Sequence, residues 1–166
     1  NYVTLYLPKD KLLSSAKVNL GYGDFSLKNT TFNTADITLD DGDFIADTIT
    51  VNSGTISLSY GDCDFKKASL SNTTVKPADG DISMNNLYLS EKVKLALSYG
   101  DAMLTLNDST KKTAGFDLIT HYGTINTSSL TGSHTEKDDE ETFKSEPKDG
   151  KTTLSINSED GDITIK

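Results

Sequence analysis

Ile37-Thr38-Leu39-Asp40-Asp41-Gly42-Asp43-Phe44 returns nineteen residues later as Ile56-Ser57-Leu58-Ser59-Tyr60-Gly61-Asp62-Cys63. After nineteen more it returns as Val75-Lys76-Pro77-Ala78-Asp79-Gly80-Asp81-Ile82. The Gly-Asp pair also stands at Gly23-Asp24, one period earlier, and at Gly100-Asp101, after a step of 20. Gly123-Thr124 and Gly161-Asp162 follow at wider steps, which reads as insertions between similar units. Repetition at a fixed period of this length is the mark of a solenoid, in which each unit is too thin to bury its own apolar face.

The apolar residues keep the same period. Val18, Ile37, Ile56, Val75, Leu95, Leu118 and Ile156 lie five residues before each glycine, and Phe25, Phe44, Cys63, Ile82, Ala102, Ile125 and Ile163 lie two after. A third column runs through Leu13, Phe32, Val51, Leu70 and Leu89. Within each segment apolar and polar residues alternate with period 2, and Ser, Thr, Asn and Asp fill the outward positions, so strands are expected and almost no helix. The expectation is an all-β, single-stranded, right-handed parallel β-helix over residues 1–166. It has about seven coils, right-handed because parallel crossovers are right-handed by default.

Three segments stand apart. Residues 1–20 read as an N-terminal coil or cap, with a strand at Val3-Thr4-Leu5-Tyr6-Leu7 ended by Pro8. Asn107 to Gly115 lengthens one coil. Residues 131–150 carry His134, Glu136, Asp138, Asp139, Glu140, Glu141 and Glu146 without apolar periodicity, and read as a solvated, mobile acidic loop. Residues 151–166 form the last coil, ending on Ile163-Thr164-Ile165-Lys166, a strand expected to be open and therefore available for end-to-end association.

Composition narrows the function classes. The 166 residues hold 34% hydrophobic side chains at a mean hydropathy of −0.43. Sixteen basic residues, all lysine, face 25 acidic ones, for a net charge of −9 and a pI near 4.6. This argues against nucleic-acid binding. No apolar run approaches the roughly 18 residues of a membrane span. The chain begins at Asn1 as a mature fragment or an excised domain would. A single cysteine, Cys63, sits in an apolar column between Asp62 and Asp64, where alternation turns it inward and neighbouring carboxylates oppose thiolate formation. Neither His121 nor His134 has a partner histidine at ligand spacing, and no Gly-x-Ser-x-Gly elbow is present. No catalytic residue and no cofactor is assigned.

The candidate binding residues lie at the repeated corner. The residue before each glycine runs Tyr22, Asp41, Tyr60, Asp79, Tyr99, Tyr122, Asp160. Stacked coils bring phenols beside carboxylates, where a phenol that donates to a carboxylate or lies over the next turn stiffens the corner, or where the stripe is presented to a sugar or protein partner. Tyr22, Tyr60, Tyr99 and Tyr122 are the candidates there, with Glu140 and Glu141 of the acidic loop as candidates for a basic partner. Asp24, Asp43, Asp62, Asp81 and Asp101 would stack at coil spacing and are weak candidates for a cation, since the unit does not match the calcium-binding nonapeptide period.

The opening strand ending in Leu7-Pro8-Lys9-Asp10, followed by apolar-x-apolar-x-x-Gly-Asp-apolar units, resembles a bacterial adhesin-like family of unknown function, over essentially the whole chain. The resemblance implies an extracytoplasmic β-solenoid domain, in some members part of a membrane-anchored protein of an envelope-stress system, without established catalytic residues. On this basis the domain is expected to be a non-enzymatic, adhesin-like binding or scaffolding module of a bacterial envelope or surface protein, with a protein or glycan partner. The alternatives are a structural spacer and, more remotely, a polysaccharide-active β-helix, which lacks the cationic group that acidic-sugar lyases need.

Overall fold

The computed structural model describes residues 6, 11–127 and 130–166. The expected strand Val3 to Leu7 and the motif Leu7-Pro8-Lys9-Asp10 fall outside these residues, except for Tyr6, which is exposed. The chain winds into a parallel β-solenoid of about five turns with a repeat near 19 residues. Register is in phase with the sequence period: Phe25 pairs with Phe44, Phe44 with Cys63, and Cys63 with Ile82. A one-residue slip would turn every apolar column outward, so the columns themselves hold the register.

Each coil has three faces. The first lies before the Gly-Asp corner, the second after it, and the third completes the turn. Among the described residues the first two faces each stack seven parallel segments. Among the same residues the third stacks five, from Leu12-Leu13 to residues 87–89. The count of seven coils is therefore corrected to about five complete turns.

The third face stops because the insertion after residue 106 folds over it. Asp108–Thr113 is a short helix, capped by Asn107, whose Oδ1 accepts from the Thr110 amide at 2.8 Å. Thr110 is buried, and its hydroxyl oxygen accepts from the Leu89 amide at 3.0 Å. A side chain thus replaces the carbonyl that a further strand would have supplied. The expected loop at Asn107 to Gly115 is an end cap for one face.

The chain order of the coils is not their spatial order. Thr153–Asp160 lies between residues 92–99 and Gly115–Thr120, parallel to both. Ile163–Ile165 likewise pairs with residues 102–104 on one side, and Ile163 pairs with Ile125 on the other. The last unit of the sequence is the last but one in the stack. This overturns the open terminal strand: Ile163 and Ile165 are fully buried, and the Lys166 amide donates to the Leu104 carbonyl. The strand expected to serve end-to-end association is thus paired on both sides at Ile163 and Thr164.

The acidic segment 131–150 is also corrected. It forms an antiparallel hairpin, Ser133–Lys137 with Glu140–Ser145, whose inner strand pairs antiparallel with Gly115–Thr120. Phe143, 3% exposed, is the anchor: it pairs with Leu118 and packs over Gly132. The hairpin covers the first face where the stack ends. Its outer strand, Ser-His-Thr-Glu-Lys, is exposed throughout and blunted by charge.

Inside, the columns form one continuous core. Burial of each Leu, Ile or Phe contributes roughly 1.5–3 kcal/mol, and Phe25, Phe44 and Phe65 form an aromatic run with centroids 6.1 and 5.3 Å apart. Cys63 sits fully buried in the same column, and burial, followed by the charges of Asp62, Asp64 and Asp43, pushes its thiol far up from its ordinary range.

Candidate functional site

The Gly-Asp corner is built by close stacking. A Cβ on Gly61 would lie 2.3 Å from the Gly42 carbonyl oxygen, and Gly61 has φ +125°, so only glycine fits there. Beyond it the aspartates form a one-sided ladder. Each Oδ1 accepts the backbone amide of the next rung: Asp43 to Asp24 at 3.0 Å, Asp62 to Asp43 at 3.0 Å, Asp81 to Asp62 at 2.8 Å and Asp101 to Asp81 at 2.8 Å. The Asp162 amide then donates to Asp101, and the Thr124 amide and hydroxyl both donate to Asp162. Thr124 stands where an aspartate would, at the top rung, where no higher amide requires an acceptor. These bonds explain the motif structurally. Among the described residues no group of three His, Cys, Asp or Glu is placed to hold a metal ion.

Next to this ladder the intercalated last unit rearranges the tyrosines. In sequence Tyr99 is followed by Tyr122 and then Asp160. In space the rungs pair Asp41 with Tyr60, Tyr60 with Asp79, Asp79 with Tyr99 and Tyr99 with Asp160. The Gly23 amide bonds the Asp41 carbonyl, placing Tyr22 below, and the Tyr122 amide bonds the Glu159 carbonyl, placing Tyr122 above. The column therefore reads Tyr22, Asp41, Tyr60, Asp79, Tyr99, Asp160, Tyr122, a strict alternation that the linear sequence breaks.

The four tyrosines are 87%, 62%, 59% and 69% exposed in that order. Among the described residues no hydrogen bond joins one of their hydroxyls to a neighbouring aspartate and no ion pair engages the carboxylates of the column. The stiffening phenol-carboxylate bond expected from the sequence is not formed. What remains is an exposed edge with an aromatic ring on every second rung and carboxylates between and beside the rings.

The edge ends in a cleft of about 490 Å³ where the hairpin turn overhangs the top corner. Tyr122, His121, Asp138, Asp139, Glu140 and Glu159 line it together with Lys137. Glu140 lies 3.6 Å from His121 Nδ1. The structure thus joins two of the candidate groups, Tyr122 and Glu140. Glu141 is separate: its carboxylate is engaged by His134, with only 13% of its side chain exposed. The sequence marks Asp138 and Asp139 only as part of an acidic loop and does not mark Glu159, because their approach to Tyr122 depends on the hairpin and on the displaced last unit.

A parallel β-solenoid with an aromatic and acidic corner edge is the class of protein that the fold and this surface define. The chain belongs to the Toastrack DUF4097 family, a domain of unknown function whose model matches residues 1–166. Searches of curated proteins and of solved structures find no match.

Proposed function

We propose that this domain is a non-enzymatic binding module of a bacterial cell-envelope or surface protein, working outside the cytoplasm, and that the tyrosine-aspartate edge is its recognition surface. The observation that carries the reading is the strict spatial alternation. The four exposed tyrosines share one column, and they occupy every second rung throughout only because the last unit lies between two earlier ones. Tyrosine offers a large apolar face and a hydroxyl at low entropic cost, which suits a protein or glycan partner. The cleft beside Tyr122 extends the surface with acidic groups.

The test is a pull-down with the tagged domain against bacterial envelope fractions and against host glycans and matrix proteins, at two ionic strengths. Capture should be saturable, and a Tyr60→Ser/Tyr99→Ser double variant should lose it while unfolding at nearly the same denaturant concentration. Exposed substitutions of this kind usually change stability by less than about 0.5 kcal/mol each. Undiminished capture by the variant would remove the edge from the function.

A further inference from the structure

The reading of the edge as a binding surface can be carried to the chemistry of the partner, because the edge has a period and a charge. Coils stack at about 4.7–4.9 Å, so tyrosines on every second rung repeat at about 9.4–9.8 Å. A polyproline II helix, with three residues per turn and 3.1 Å rise, repeats at about 9.3 Å. Every third residue of such a segment meets successive tyrosines with a mismatch of at most about half an ångström per turn. Other peptide conformations fall out of phase. Alternate residues of a β-strand repeat at roughly 6.6 Å, and two turns of α-helix at about 10.8 Å.

The chemistry agrees with the spacing. A polyproline II backbone has no internal hydrogen bonds, and its carbonyls seek donors. The tyrosine hydroxyls of the edge supply donors that no hydrogen bond among the described residues uses. Proline-rich segments are recognised by surfaces lined with aromatic rings, and the tyrosine row supplies such rings. Between the rings stand Asp41, Asp79 and Asp160, and beside them runs the aspartate ladder, in which each carboxylate gives one oxygen to a backbone amide. Lysine or arginine at the intervening positions would meet these carboxylates, and the cationic heads would also lie within reach of ring faces. A neutral glycan would leave the carboxylates uncompensated, and an anionic one would be repelled.

We propose that the Tyr22-to-Tyr122 edge binds a proline-rich, lysine- or arginine-bearing segment in polyproline II conformation, with every third residue seated on a tyrosine. The proposal rests on the edge being a binding surface, and the experiment separates the two. The isotopically labelled full chain is titrated with a peptide of repeated Pro-Pro-Lys triplets. In parallel it is titrated with a peptide of the same composition carrying all its lysines at one end, and with a neutral β-1,4-linked N-acetylglucosamine oligomer.

The triplet peptide should shift amide resonances at the Tyr60, Tyr99 and Tyr122 rungs and bind about tenfold more tightly than the block peptide, a difference of about 1.4 kcal/mol. Tyr60→Ser/Tyr99→Ser should weaken it by about tenfold or more, and added salt should weaken it further. Equal affinity for the two peptides would overturn the proposal by showing that charge alone governs binding. Shifts at these rungs from the oligosaccharide and not from the peptides would overturn the peptide partner while leaving the edge as a binding surface. Silence from all three would overturn the proposal outright.

Discussion

At single positions, the corner glycines separate backbone stacking from simple turn preference. A Cβ on Gly61 would strike the Gly42 carbonyl oxygen, whereas Gly21, two residues before the first corner glycine and outside the positive-φ region, has open space around its Cβ direction. Gly61→Ala should therefore cost about 2–4 kcal/mol, and Gly21→Ala should be close to neutral, as read by urea midpoints of the two variants. Comparable losses would mean that stacking does not select the glycine. Other corners use residues that the Gly-Asp motif does not announce. Asn29 and Thr48 stand one period apart and Asn86 two periods further on, and all three have positive φ, at 50°, 62° and 51°. Asparagine tolerates that region, but a β-branched threonine does not. Thr48 is exposed and bonded only to Asp47, so Thr48→Asn should stabilise the fold by about 1 kcal/mol, with a rise in thermal midpoint as the measurement. An unchanged or lower midpoint would show that the strain is relieved elsewhere.

At the scale of elements, two insertions act as caps. Thr110→Val would leave the buried Leu89 amide without its acceptor, for a loss of about 1–3 kcal/mol, while Thr110→Ser should retain most of the stability. Equal losses for valine and serine would point to packing and not to the hydrogen bond. The approach to the displaced last unit is held by Asp149. Its carboxylate accepts from the Thr152 hydroxyl at 2.6 Å and from the Thr152 and Lys151 amides at 2.8 and 3.0 Å. The Thr152 side chain, then the two amides, lower its pKa from 3.8 to about 2. A depressed carboxylate stabilises the fold above its unfolded pKa and ceases to do so as pH falls through its folded one. The difference in urea midpoint between the wild type and Asp149→Asn should be full above about pH 4 and should shrink between pH 4 and 2. A difference constant across that range would deny Asp149 this role. Neither cap was legible as a cap: six helical residues are too few for a periodic signal, and the hairpin carries a single apolar anchor, Phe143, among charges.

For the whole molecule, the decisive feature is the order of the stack. If the last unit were the end of the rod, removing residues 151–166 would only shorten it. Because Thr153–Asp160 and Ile163–Ile165 fill an interior layer, removal opens two parallel faces on either side of a gap. The truncated chain should lose its cooperative unfolding transition and elute as aggregate, by circular dichroism and gel filtration. A monomeric chain with the wild-type strand signal scaled to its length would refute the intercalated order. The same displacement completes the tyrosine edge, so the truncation should also abolish the alternation at Tyr122.

The nineteen-residue period, the three apolar columns and the inward Cys63 were determined by the sequence itself, because each is a local repeat in which every unit meets a copy of itself one coil away. The parallel stacking, the corner glycines and the candidacy of Tyr22, Tyr60, Tyr99 and Tyr122 follow from that repeat. The tertiary structure alone decided which unit lies beside which near the C-terminal end. An apolar column is satisfied equally by any neighbour with the same pattern, so Ile156 can pack between Leu95 and Leu118 as well as Leu118 could pack directly on Leu95. The choice is made by the long connection through the hairpin, whose inner strand already occupies the outer edge of Gly115–Thr120 and leaves the last unit only the inner one.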